Sequence, residues 1–190
     1  MYGLVNRAIE ELAIEVGGYS TWESIKDKAG VDVVVFQSMQ PYPDEVTYDL
    51  VSAASEVLDI PADQLLRQFG KHWILFTAQE GYGTLLKTAG SNVREFIDTL
   101  DSMHARISSA MPELEPPSFS SHDLGSDCFQ VRYFSKRDGL APMVVGLLEG
   151  VGEMFSTPLL VTHHDTKQAQ GYHTFNVEYS QKLKPVREIG

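Results

Sequence analysis

The stretch Cys128-Phe129-Gln130-Val131-Arg132-Tyr133-Phe134-Ser135-Lys136-Arg137 decides the fold class. From Cys128 to Phe134 it alternates and is rich in aromatic and branched residues, the signature of a strand. Alternate side chains of a strand share one face. Phe129 and Val131 therefore make an apolar surface that Tyr133, Ser135 and Arg137 extend with two hydroxyls and a guanidinium.

Working outward from this strand, the chain before it is helical and the chain after it is mixed. Leu4, Val5, Ala8, Ile9, Leu12 and Ala13 form a helical stripe from Gly3 to about Glu15, stopped by Gly17-Gly18. Ser20 or Thr21 can cap a helix over Trp22–Lys28 that Gly30 ends. Asp32 to Pro43 reads as a connection, and Asp44 opens a helix to Leu58. Pro61 precedes a largely apolar, hence central, helix from Ala62 to about Gln79, with Trp73 on it. A break at Gly81-Tyr82-Gly83 and a short helix to Ala89 follow. Ser91 is placed to cap the next helix, Asn92 to about Ser109.

Pro112, Pro116 and Pro117 end that helix and force an extended segment through Ser118-Phe119. Beyond the deciding strand, Gly139 to Phe155 carries a helical stripe. Leu159–Thr162 and Tyr172–Tyr179 read as two strands, antiparallel across a loop containing Thr166 to Gly171. The expected fold is α+β, one domain over 1–190, with a helical part over about 1–110 and a mixed part over about 111–190. An antiparallel sheet packs on helices there, and nothing alternates as a nucleotide-binding parallel sheet requires.

Composition narrows the function classes. Fifteen Lys+Arg against 26 Asp+Glu give a net charge of −11, which argues against nucleic acid or an anionic membrane as partner. The single cysteine, Cys128, excludes an intramolecular disulfide and a thiolate metal cluster. No signal peptide or membrane-spanning stretch is legible, so a cytoplasmic location is expected.

His104 shares a helix with Ile97, Leu100, Met103, Ile107 and Met111, spaced by threes and fours, and so lies on or beside the buried stripe. A neutral imidazole in apolar surroundings suits an axial haem ligand, and Tyr133, Ser135 and Arg137 suit a clamp for two carboxylates. The plainer alternatives are a core histidine bonded to a carbonyl and a solvent-facing strand end. His163-His164-Asp165, with His173 on the facing strand, has the residue types of a metal site. Consecutive strand residues point to opposite faces, however, so a solvated hairpin is the favoured reading. His72 and His122 have no partner at ligand spacing.

The chain resembles the H-NOX family of haem-based nitric-oxide/oxygen-binding domains, which includes the haem domain of soluble guanylate cyclase. The resemblance rests on Met1-Tyr2-Gly3-Leu4-Val5-Asn6, Thr21-Trp22-Glu23, Asp101 to Arg106, Gly139 to Met143, and His104, Pro117, Tyr133, Ser135 and Arg137 in that order. It implies haem b (iron protoporphyrin IX) between the helical and mixed parts. It also implies His104 as proximal ligand and sole metal-binding residue, the Tyr133/Ser135/Arg137 trio as propionate clamp, and Pro117 as a wedge distorting the porphyrin.

Oxygen-binding relatives resemble one another in a tyrosine near the start of the helix after the clamp. Gly139 to Val145 has none, and Val5, Ile9 and Met143 are expected to complete an apolar distal wall with Trp73. Trp73 is expected to pack there, its indole N–H being the one alternative donor. The expectation is therefore a non-enzymatic sensor of nitric oxide and carbon monoxide that excludes oxygen. Gas binding weakens the bond to His104 and frees its helix. The signal then goes to a separate protein: a histidine kinase, a cyclic-dinucleotide enzyme or a chemotaxis-type receptor. The alternatives are an oxygen-binding member of the same family, a haem enzyme of peroxide chemistry, and a cofactor-free interaction module.

Overall fold

The computed structural model describes residues 1–77, 83–86, 88–125 and 127–180. Among them the helical part holds α1 (Gly3–Gly17), α2 (Tyr19–Ala29), α3 (Asp44–Leu58) and α4 (Ala62–His72). A π-helical turn, Trp73–Thr77, extends α4, a turn at 83–86 follows, and α5 spans Val93–Ser108. The mixed part holds β1 (Ser118–Gly125), β2 (Cys128–Phe134), α6 (Ala141–Met154), β3 (Leu159–His164), α7 (Lys167–Gln170) and β4 (His173–Tyr179). The sheet is antiparallel throughout, in the order β1-β2-β4-β3. The α+β class follows directly.

Local differences from the sequence reading have local causes. Gly18, at φ 80°, separates α1 from α2 without a loop, so Ser20 and Thr21 lie inside α2 and not at its cap. The Thr21 hydroxyl instead donates back to the Gly17 carbonyl at 2.6 Å, sealing the junction. Asn92, not Ser91, caps α5. Its side chain accepts from the Glu95 N–H at 3.0 Å, while the Glu95 carboxylate accepts from Ser91 N at 2.9 Å. This resembles a capping box, except that the Glu95 carboxylate reaches the residue before the cap, Ser91, and not the cap itself. The extended segment after Pro117 runs on as a full edge strand, and the hairpin loop contains the short α7. The expected end of the central helix, residues 78 and 79, lies outside the described residues, as does most of the 81–83 break.

Two apolar cores form. One gathers Phe96, Ile97, Phe129, Val131, Phe175 and Val177 between the sheet, α5 and α6; the other gathers Trp22, Ile25, Phe36, Leu50, Leu65 and Phe69 among α1 to α4. Trp73 packs against both. The cores meet where α4 crosses α6 at backbone contact. A Cβ added at Gly70 would sit 2.1 Å from the Met143 carbonyl oxygen, and one at Gly146 would sit 1.9 Å from that of Arg67.

Candidate haem site

Between the two cores lies a cavity of about 440 Å³, within the range of ligand sites. Helix α1 brings Leu4 and Val5 to its wall, the π-turn brings Trp73, α5 brings His104 and Ile107, and α6 brings Met143, Val144 and Leu147. The remaining wall is Pro116, Pro117 and Phe119, and the polar rim includes Asp44, Tyr133, Ser135 and Arg137. Residues far apart in sequence thus form one oily slot with a charged mouth.

His104 is oriented from behind. Its Nδ1 lies 3.1 Å from the Pro117 carbonyl oxygen. A carbonyl only accepts, so Nδ1 carries the proton and Nε2 keeps its lone pair. Burial is the main cause holding the His104 pKa below the ordinary histidine value, against the Pro117 bond and nearby Asp101. The ring is therefore neutral near pH 7, the form that binds a metal. Three residues earlier on α5, the Asp101 carboxylate accepts from the Ser118 hydroxyl and, at 2.9 Å, from the Phe119 N–H. The His104 turn is tied to the start of β1 at two points.

The rim trio converges. Tyr133 is buried, and burial raises its pKa against a hydrogen bond with Ser135. The Arg137 N–H donates to Ser135 Oγ at 3.1 Å. The Arg137 guanidinium grips Asp44 in bidentate fashion, Nε to Oδ2 at 2.7 Å and NH2 to Oδ1 at 3.2 Å, and donates to the Glu115 carbonyl at 2.8 Å. Asp44 thus shows the fork in the act of holding a carboxylate. The Met1 amino group also binds Asp44, at 2.6 Å.

These residues fit haem: one neutral imidazole with a free lone pair, apolar walls for a macrocycle, and a carboxylate clamp at one edge. Of the expected distal residues, Val5, Trp73 and Met143 line the cavity, whereas Ile9 borders the neighbouring cavities against α3 and α4. Asp44, Asp101 and Phe119 escaped sequence reasoning. Asp44 gave only a helix-start signal, and no spacing rule links it to Arg137. His72 lies 3.6 Å from Glu15, and Cys128 is a free thiol on β2. His163 and His164 do face opposite ways, yet His163, Asp165 and His173 meet.

A family model described as Haem-NO-binding matches residues 2–163. The chain belongs to the haem-NO-binding family. Its cofactor is haem. Among curated relatives it is 27% identical over 180 residues to the soluble guanylate cyclase gcy-31 of Caenorhabditis elegans, covering 94% of this chain and 25% of the relative. It is 32% identical over 93 residues to the guanylate cyclase soluble subunit beta-2 of Rattus norvegicus, covering 49% and 14%. The haem-NO-binding chain thus spans about a quarter or less of the length of these relatives. Among solved structures, an H-NOX protein from S. oneidensis in the Fe(II)NO ligation state superposes with a TM-score of 0.83 at 18% identity, covering 95% of this chain and 100% of that one. The Fe(II) unliganded H-NOX protein from K. algicida gives 0.81 at 18% identity, covering 97% and 99%. Both share the fold. Among the described residues, no helix is long and apolar enough to cross a membrane.

Proposed function

We propose that this chain is a haem-based gas sensor that takes nitric oxide and carbon monoxide, excludes oxygen, and signals to a separate protein. His104 would ligate the haem iron, Tyr133, Ser135 and Arg137 would hold its propionates, and Pro117 would lie against the macrocycle. The observation that carries the reading is the His104 Nδ1 bond to Pro117, which leaves the Nε2 lone pair available in a largely apolar cavity. Bound haem would supply a ferrous iron able to take a diatomic gas.

Selectivity follows from what the α6 side of the cavity offers. Leu140, Met143, Val144 and Leu147 face the slot there, and none carries a hydrogen-bond donor. Bound oxygen is partly charge-separated and gains about 1–3 kcal/mol from a donor, whereas nitric oxide depends on one far less. Trp73, packed against both cores, acts as wall. Signalling follows from the tethers of α5. Arg94 with Asp123, Asp98 with Ser121 and Asp101 with Ser118 and Phe119 tie α5 to β1 along its first three turns, so a change at His104 would be felt most in the last turn of α5, beyond these ties. The acidic surface agrees with a protein partner such as a histidine kinase, a cyclic-dinucleotide enzyme or a chemotaxis-type receptor, and not with nucleic acid.

The test is the absorption spectrum of the anaerobically reduced protein, repeated in air and then with nitric oxide. The expected result is a haem band unmoved by air that shifts to a five-coordinate form with nitric oxide. A stable oxygen complex would overturn the selectivity and point to Trp73 as donor. Absence of a haem band after added haemin would overturn the whole reading.

A further inference from the structure

Away from the haem cavity, the β3–β4 hairpin brings three metal-ligating side chains to one point. In the register of the hairpin His163 faces Phe175, so His163 and His173 are diagonal neighbours two residues apart on the same inner face. Asp165 follows the last residue of β3. His163 Nε2 lies 3.1 Å from His173 Nδ1, and Asp165 Oδ1 lies 3.2 Å from that same nitrogen. One ligating atom from each of the three lies within 4.8 Å of the others.

Hydrogen bonding among neutral imidazoles does not satisfy this arrangement. If His173 Nδ1 carries its proton, two acceptors, Asp165 Oδ1 and the His163 Nε2 lone pair, compete for one N–H. If His163 Nε2 carries the proton and donates to His173, the Asp165 carboxylate faces a lone pair with no proton between them. Either tautomer leaves one of the two contacts mismatched. A cation placed among the three satisfies every lone pair at once.

We infer that His163, Asp165 and His173 form a binding site for a divalent transition-metal ion of the zinc class. Two imidazoles and one carboxylate suit zinc. The 3.1 and 3.2 Å separations are close to the edge of about 3.3 Å of a tetrahedron with 2.0–2.1 Å bonds. The His173 side chain is 11% exposed and the Asp165 side chain 72% exposed, so the fourth position opens to solvent. Three protein ligands and one open position describe an exchangeable site. Asp138 lies near enough to His173 to interact with it electrostatically, but Lys167 occupies its carboxylate. It adds negative potential without being counted as a ligand. The site stands behind the haem clamp, because the His173 ring stacks on Tyr133 with centroids 6.2 Å apart. It stands or falls independently of the gas-sensing proposal.

The test is equilibrium dialysis of the haem-loaded protein against zinc chloride, with elemental analysis for iron and zinc. One zinc per chain is expected in addition to the haem iron. Loss of even an outer-shell partner costs 10–100-fold in affinity, so Asp165→Asn, an exposed change that leaves the fold intact, weakens zinc binding at least about tenfold. His163→Gln does the same, whereas His164→Gln, on the opposite face of the strand, leaves it unchanged. No zinc uptake by the wild type, or equal loss with His164→Gln and none with Asp165→Asn, would overturn the assignment.

Discussion

At the scale of single residues, His104 carries the most chemistry. Replacing it with Gly removes the only ligating group proposed for the iron, so haem retention falls at least about tenfold and returns with added imidazole, read by the haem absorbance after gel filtration. Asp44 gives a prediction of a different kind. Burial favours its protonated form, yet the Arg137 guanidinium and the Met1 amino group outweigh burial and hold its carboxyl below the ordinary value. Its stabilising contribution is therefore complete above the unfolded value of about 3.9 and is lost as pH falls through the lower folded value. Asp44→Asn should cost the haem-free protein roughly 1 kcal/mol near neutrality. Urea denaturation at stepped pH should show that deficit vanish in acid. A deficit that persists there would mean the ion pair is not its source. Of the trio, only Tyr133 follows the two-residue period of a strand: β2 ends at Phe134, and Ser135 and Arg137 come together beyond it through the Arg137 N–H donated to Ser135 Oγ, a turn that the alternation did not announce. Asp44 and Asp101 were not legible, since their partners lie 93 and 17 residues away and no local periodicity encodes such pairings.

At the scale of elements, α4 and α6 form a crossing at backbone contact. Ion pairs flank it, Arg67 with Glu149 and Lys71 with Glu153 at 2.7 Å, but they are exposed and add little. The glycines decide it. Gly146→Ala places a methyl group 1.9 Å from the Arg67 carbonyl, so the helices must part. Overpacking of this kind costs about 1–3 kcal/mol, a fall in Tm of about 3–10 °C by calorimetry. An unchanged Tm would mean that the joint yields freely. The π-turn at Trp73–Thr77 sits just beyond this crossing, and such turns gather at functional sites. The apolar run through this region announced a central helix, but its change of winding was illegible, because five residues are too short a window for a side-chain period to declare itself. Element type was otherwise well marked by stripes, prolines and glycines. The cap positions slipped by one to three residues because Ser20, Thr21, Ser91 and Asn92 offer several oxygens at nearly equivalent places.

At the scale of the whole molecule, two separate apolar cores share a cavity wall at Trp73, and haem in the proposed site would complete a surface that both leave unfinished. A ligand present at about 100 times its Kd adds about 2.7 kcal/mol of stability. Removing haem should therefore lower Tm by about 5–10 °C, measured by circular dichroism. No shift would mean that haem lies outside the cavity. The α+β class and the division into helical and mixed parts were legible, since each depends on pattern alone. The cavity itself was not, because its volume depends on how two cores dock. Its proposed occupant was legible only through the joint order of His104, Pro117 and the trio.

The scattered origin of the cavity wall also sets a timetable. Its residues run from Met1 to Leu147, so most of the chain must leave the ribosome before the slot exists. Contacts between segments so far apart form slowly, because loop closure precedes their reward. Haem capture then belongs to the end of folding, and refolding with haemin should restore haem absorbance no sooner than native tryptophan fluorescence. A cell short of haem would accumulate nearly finished, empty chains, a standing pool ready to load as soon as the cofactor returns.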